Sequence, residues 1–184
     1  MAHVCPWWLG SFLASPVRKL WQDPDKILSP LIREGMTILE VGPGMGYFSV
    51  PMARMAGARG RVVCVDMQER MLAGLKKRAA RAGVADRIES RLCGPDSLGI
   101  DDLSGAVDFA MLFAVIHEVP DRRGLFQQVS NCLKRGGTAL FSEPTGHESA
   151  TGFNASIDIA RSCGFTTGGE PKISRNRSVI LVKK

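Results

Sequence analysis

The sequence predicts an α/β fold: an open, mostly parallel sheet of seven strands with helices on both faces and a C-terminal antiparallel hairpin. Three observations lead there. A β-prone run, Thr37 to Val41, enters a glycine-rich turn, Gly42-Pro43-Gly44-Met45-Gly46, and an apolar-periodic helix follows. Strand and amphipathic helix then alternate down the chain, the pattern of repeated βαβ units. The last two strand candidates, 168–173 and 177–183, have no helix between them and read as a hairpin.

At 184 residues the default is one domain with a core of its own. Residues 1–35 form a helical preface, and 36–184 carry the sheet. No apolar run approaches the roughly 18–20 residues that span a membrane. Met1 to Ala14 is apolar, but the charges Arg18 and Lys19 follow the apolar part, the reverse of a signal peptide. A cytoplasmic protein is expected. Five cysteines (5, 64, 93, 132, 163) are an odd number with no C-x-x-C pair, which argues against a disulfide frame or a zinc site. The net charge of +6 favours anionic partners, nucleic acid included, although dispersed charge also describes a solvated surface.

In the preface, Asp23-Pro24 is a cap followed by a first-turn proline, and predicts a helix to about Arg33. Trp7, Trp8, Phe12 and Trp21 are either core packing or part of a lid over a substrate. The first strand is read at 36–41 and its helix at 47–56. Arg61 to Asp66 is a near-continuous apolar strand, as in a sheet buried on both faces. The helix at 68–82 carries Met71, Leu72, Leu75 and Ala79 on one side and Arg70, Lys76, Lys77, Arg78 and Arg81 on the other. Strands follow at 87–92 and 108–112, then a helix at 122–134 ended by Gly136-Gly137, a strand at 138–142, and a helix marked by Phe153, Ile157 and Ala160.

The glycine turn departs from the dinucleotide fingerprint G-x-G-x-x-G: the third glycine falls one residue early, at 46. Glu40 stands two residues before the first glycine. Glu40 followed by G-x-G-x-G resembles the first motif of class I S-adenosylmethionine (SAM)-dependent methyltransferases, of the small-molecule type. The resemblance covers roughly 36–184 and implies a Rossmann-like sheet with SAM as cofactor. It implies that Glu40 helps position the methionine end of SAM, with Val41, Gly42, Pro43, Gly44 and Gly46 passing beneath it. Asp66, 24 residues after Gly42, can accept both ribose hydroxyls or cap the next helix; Met67 and Gln68 follow it. Cys93-Gly94 falls where the resemblance places the adenine, and Phe113 borders the same site.

The segment Phe113 to Asp121 resembles the stretch after strand four of small-molecule methyltransferases, which often carries a histidine. His117 and Glu118, with Glu143 and His147, lie just past strand ends, where open α/β sheets place their sites. His117 suits a base at neutral pH, or is a structural histidine bonded to backbone. No metal site is expected. Amino-methylating enzymes of nucleic-acid bases carry Asn/Asp-Pro-Pro-aromatic where this chain has Phe113-Ala114-Val115-Ile116, cytosine C5 enzymes need a cysteine there, and arsenite enzymes a cysteine set that Cys5, Cys93 and Cys163 do not resemble. The expected acceptor is a small molecule. An RNA methyltransferase using the basic surface, and a SAM-binding protein without turnover, stand as alternatives. The short 144–150 connection leaves the acceptor side open, so residues 1–35 are expected to fold over the cleft and bring an aromatic near the methyl group.

Overall fold

The computed structural model describes residues 16–184. Its strands are β1 (Thr37–Val41), β2 (Arg61–Asp66), β3 (Ile88–Leu92), β4 (Val107–Phe113), β5 (Leu133–Pro144), β6 (Phe165–Thr167) and β7 (Asn176–Lys183). They form one sheet in the order β3-β2-β1-β4-β5-β7-β6. β1 to β5 are parallel, and β7 runs antiparallel to both β5 and β6. The helices are α1 (Pro24–Leu28), α2 (Ser49–Ala56), α3 (Glu69–Arg81), α4 (Arg122–Cys132) and α5 (Ala150–Ser162).

Alternation along the strands divides the core in two. Ile38, Val62, Cys64, Phe109 and Met111 face one side, packed with Leu28 of α1, Met52 of α2 and Leu75 of α3. Leu39, Val41, Val63, Val65, Ala110 and Leu112 face the other, packed with Leu125 and Phe126 of α4 and Phe153 of α5. Both faces are therefore dry, which is why β1, β2 and β4 read as unbroken apolar runs. Among the described residues no helix is long and apolar enough to cross a membrane.

Three expected boundaries move. The helix expected over 24–33 ends at Leu28: Ser29 keeps helical angles and its N–H still reaches the Asp25 carbonyl, but Pro30 supplies no N–H to continue the ladder; Asp23 caps its start, accepting from the Asp25 N–H at 3.1 Å. α4 stops at Cys132 and Leu133 already pairs with Val107. The register then jumps, so that Thr138 pairs with Phe109, and Gly136, at φ +74°, serves this irregularity inside β5 rather than the helix end. The strand expected at 168–173 is instead the connection from β6 to β7, and β6 lies earlier, at 165–167. Gly168, Gly169 and Pro171 give that stretch no alternating side-chain pattern and one missing donor, whereas Phe165 is fully packed in the core.

Gly46 has a specific reason to be glycine. It sits at φ +84°, and a Cβ there would lie 2.6 Å from Leu75 Cδ1 on α3. Gly83 has a similar positive φ, +68°, but open space around it. Gly46→Ala is expected to cost about 1–3 kcal/mol by urea unfolding, from left-handed backbone plus overpacking. Gly83→Ala bears only the backbone part, so a Gly46 loss no larger than the Gly83 loss would remove the packing role.

Candidate active site

Strand order reverses direction between β1 and β4: the chain runs outward through β2 and β3, then returns to the other side of β1. Crevices open at the C-terminal ends of such strands. Here the crevice is a cavity of about 770 Å³. Glu40, Val41, Gly42, Pro43 and Gly44 line one wall, Asp66, Met67 and Gln68 the next, and Gly94 to Leu98 a third. Phe113 to Val115, His117, Glu118 and His147 line the opposite side, and Arg18, Trp21, Arg175 and Asn176 close the mouth.

The turn brings backbone to the cavity edge. Gly42 (φ +69°) is tight against Val115, where a Cβ would come within 3.0 Å of Cγ2. Gly44 (φ +54°) has nothing within 4 Å of its absent Cβ. Two residues expected at the cofactor stand apart from the lining. Gly46 packs on α3, as above, and Cys93 packs against the α4 side of the core while its N–H donates to the Asp66 carbonyl at 3.0 Å. Gly94 does reach the cavity, in a loop held by Gln128, whose Oε1 accepts from the Leu98 N–H at 2.8 Å.

Asp66 combines both roles the sequence left open. Its carboxylate accepts from the Gln68 N–H at 2.8 Å, ahead of α3, and it also borders the cavity. Burial raises its pKa, opposed by hydrogen bonds from backbone N–H groups of Gln68, Gly44 and Met67. Glu40 is nearly inaccessible (3%), because it shares its strand face with Ile38. Its Oε2 accepts from Ser49 Oγ at the start of α2 and from Cys64 Sγ at 3.5 Å. Desolvation pushes its pKa up to about 7 against those bonds.

Across the cavity, Glu143 at the end of β5 is buried and receives the Val115 N–H (3.2 Å) and Ile116 N–H (2.7 Å). Its other oxygen meets His117 Nδ1 at 2.5 Å. That arrangement orients the ring with Nδ1–H toward the carboxylate and leaves Nε2 as the basic nitrogen. Nε2 lies 3.3 Å from His147 Nδ1 and 3.8 Å from Glu118. The hydrogen bond to Glu143, then the carboxylates of Glu143, Glu118 and Glu148, raise the His117 pKa above its usual 6.5, with burial opposing. Among the described residues no group of three or more His, Cys, Asp or Glu is arranged to hold a metal ion.

Sequence reasoning missed the mouth. Arg18 lies over the rings of Tyr47 (4.5 Å), Phe48 (5.3 Å) and Phe113 (5.7 Å), and its Nε donates to Gln22 Oε1 at 2.7 Å. Tyr47 Oη donates to the Gln22 carbonyl at 2.8 Å, and the Gln22 and Asn176 amides meet at 2.8 Å. Residues 18–22 thus tie the glycine turn to β7. No periodicity or spacing signals such contacts. Of the four aromatics expected in a lid, Trp21 borders the cavity; Trp7, Trp8 and Phe12 lie outside the described residues.

A methyltransferase-domain family profile matches residues 39–141, more than half of the chain. The chain belongs to that family and is a class I SAM-dependent methyltransferase with a Rossmann-like fold. It is 29% identical over 119 residues to the tRNA 5-carboxymethoxyuridine methyltransferase of Escherichia coli K12, covering 64% of this chain and 44% of that protein. It is 33% identical over 107 residues to the ubiquinone biosynthesis O-methyltransferase of Paramagnetospirillum magneticum, covering 58% of this chain and 40% of that one. The chain thus matches less than half the length of these relatives. The structure of a SAM-dependent methyltransferase from Aquifex aeolicus superposes with a TM-score of 0.86 at 20% identity, over 98% of this chain and all of that one.

The site suits SAM: a long cavity, a glycine without Cβ at its edge, a carboxylate for hydroxyls and a cation at the mouth. The buried Glu40 makes a pH prediction. Its folded pKa, about 7, exceeds the unfolded value near 4.5, so the stability it contributes is full below pH 4.5 and is lost as pH rises through 7. Glu40→Gln should therefore gain stability over wild type between pH 5 and 8, by about 2–3 kcal/mol. Parallel unfolding curves for the two proteins across that range would contradict the assignment.

Proposed function

We propose that this enzyme transfers the methyl group of SAM to an oxygen of a small-molecule acceptor, with His117 as general base. The observation that supports it best is His117 on the cavity wall, held from behind by the buried Glu143, across from Asp66 and the glycine turn. SAM supplies a methyl group already activated on a sulfonium. Asp66 would hold the ribose hydroxyls, Gly42 and Gly44 let the backbone approach, and the Gly94 to Leu98 loop flanks the adenine. Glu40 and Arg18 would hold the methionine end, Arg18 facing its carboxylate. Glu143 fixes the His117 tautomer, so Nε2 takes the acceptor's proton, and His147 is near enough to relay it onward. Residues 18–22 form a lid over the mouth and exclude water, which suits a small acceptor.

A second reading rests on a separate surface. Lys19, Arg54, Arg70, Lys77, Arg78 and Arg81 line a shallow groove between α2 and α3, with Asp25 as its acidic member. RNA would fit such a groove, and its binding would weaken steeply with salt. The groove lies along α2 and α3, away from the His117 wall, and the first reading is preferred for that reason.

Two measurements test the residue roles. Asp66→Ala should weaken SAM binding at least about tenfold, losing charge-assisted bonds worth roughly 1.5–3 kcal/mol each, with the unfolding transition retained; unchanged affinity would leave Asp66 a turn-capping residue only. His117→Ala should lower kcat about 10²–10⁴-fold. Because its pKa is raised, the acid limb of kcat/KM in the wild type should lie above pH 6.5, and Glu143→Gln should move it down. A limb that stays put in Glu143→Gln would exclude His117 as the titrating base.

A further inference from the structure

Among the described residues, two that are not glycine hold a positive φ: Ala114 (+56°) and Arg175 (+61°). Both line the cavity. Such backbone persists only where the surroundings impose it, and it concentrates at sites of function. For Ala114 the cause is visible, since its N–H donates to the Ser142 carbonyl at 2.8 Å while the chain leaves β4 toward His117. For Arg175 the carbonyl is clamped by both the N–H (2.9 Å) and Oγ1 (3.2 Å) of Thr145. Thr145 lies two residues after Glu143 and two before His147. The loop that carries Arg175 is thereby fastened to the segment that carries the acid–base groups.

The Arg175 side chain is exposed, lies with its guanidinium 5.9 Å from the Trp21 ring centroid, and pairs with no carboxylate among the described residues. The neighbouring arginines of this region are committed elsewhere: Arg177 donates to the Glu148 carbonyl and Arg122 pairs with Glu148. Trp21 adds apolar surface beside the guanidinium, and Pro144 lines the same cavity. Arg18 at the same mouth is turned onto the rings of Tyr47 and Phe113, so Trp21 and Arg175 offer a flat aromatic face and a forked cation, and the loop of Arg175 is fastened to the segment whose His147 ring meets that of His117. A planar guanidinium meets a carboxylate through two parallel bonds.

We propose that the acceptor is an aromatic hydroxy acid, its ring against Trp21, its carboxylate on Arg175 and its hydroxyl at His117. This rests on the methyl-transfer reading above. The hydroxyl oxygen forms the new bond to the methyl carbon, the methyl–sulfur bond breaks with its electron pair left on sulfur, and the phenolic proton passes to His117 Nε2. The products are a methyl ether and S-adenosylhomocysteine. Arg175 makes the same contact before and during transfer, so it governs binding of the acid rather than the rate of the bound complex.

The experiment compares 3,4-dihydroxybenzoate and caffeate with their methyl esters, at saturating SAM, by release of S-adenosylhomocysteine. Wild type should favour each acid over its ester at least about tenfold in kcat/KM. Arg175→Gln should erase the preference by raising KM for the acids, with kcat and the ester kinetics little changed, and Arg175→Lys should restore part of it. Arg175→Gly relieves the positive φ while removing the guanidinium, and should lose the preference with the fold intact. Calorimetric binding of 3,4-dihydroxybenzoate to the protein loaded with S-adenosylhomocysteine should weaken about tenfold in both Arg175→Gln and Arg175→Gly. Esters used as well as acids by wild type, or an acid preference that survives in Arg175→Gly, would overturn the assignment. So would turnover of neither acids nor esters, while thermal stabilisation by SAM would show separately that the cofactor reading stands.

Discussion

β1 has a parallel neighbour on each side, β2 and β4, and the crossovers that follow β1 and β4 pass over opposite faces of the sheet. Right-handed crossovers leave no alternative once the strand order reverses at that point. α2 goes one way, α4 the other, and neither covers the C-terminal ends of β1 and β4. The cavity is that uncovered seam. The residues that reach it sit just past a strand end: Gly42 after β1, Asp66 at the end of β2, Gly94 after β3, Ala114 after β4 and the Pro144 end of β5.

Two buried glutamates at this seam show how local donors set a carboxylate's behaviour. Glu40 is given a hydroxyl and a thiol, weak compensation for burial, and its proton is held up to about pH 7. Proximity of a cation at Arg18 pulls the other way. Glu143 is given two backbone N–H groups and an imidazole. The first glutamate belongs to the start of α2 as much as to a ligand. The second spends its oxygens on orienting the β4 loop and His117, so the loop geometry and the basic nitrogen are fixed by one side chain.

The mouth is assembled from the two ends of the described chain. Gln22 joins Tyr47 of the glycine turn to Asn176 of β7, and Asn176 meets Ser142, whose hydroxyl is 2.8 Å from Ser178. A polar chain therefore runs from Gln22 at the mouth into the sheet beside Glu143. Movement at residues 18–22 would be felt at β5 and β7, because a buried polar network is strong only while all its members are paired.

The sheet, its parallel half and the crevice at its strand ends were legible in the sequence, since each rests on short-range signals. Unbroken apolar runs mark β1, β2 and β4, which are buried on both faces. The spacing from Gly42 to Asp66 is one βαβ repeat, and Glu40 before the turn separated one cofactor class from another. Strand boundaries around Gly136 and Gly168 were misplaced, because glycine marks an irregularity inside a strand as readily as the end of a helix. That Gly46 answers to Leu75, that Glu143 rather than Glu118 bonds the His117 ring nitrogen, and that Arg18 and Arg175 meet at one mouth were decided by tertiary structure alone. Each of those pairs is separated by 26 residues or more of chain, or by opposite ends of it. Local periodicity carries no record of such contacts, which exist only once the sheet has closed the distance.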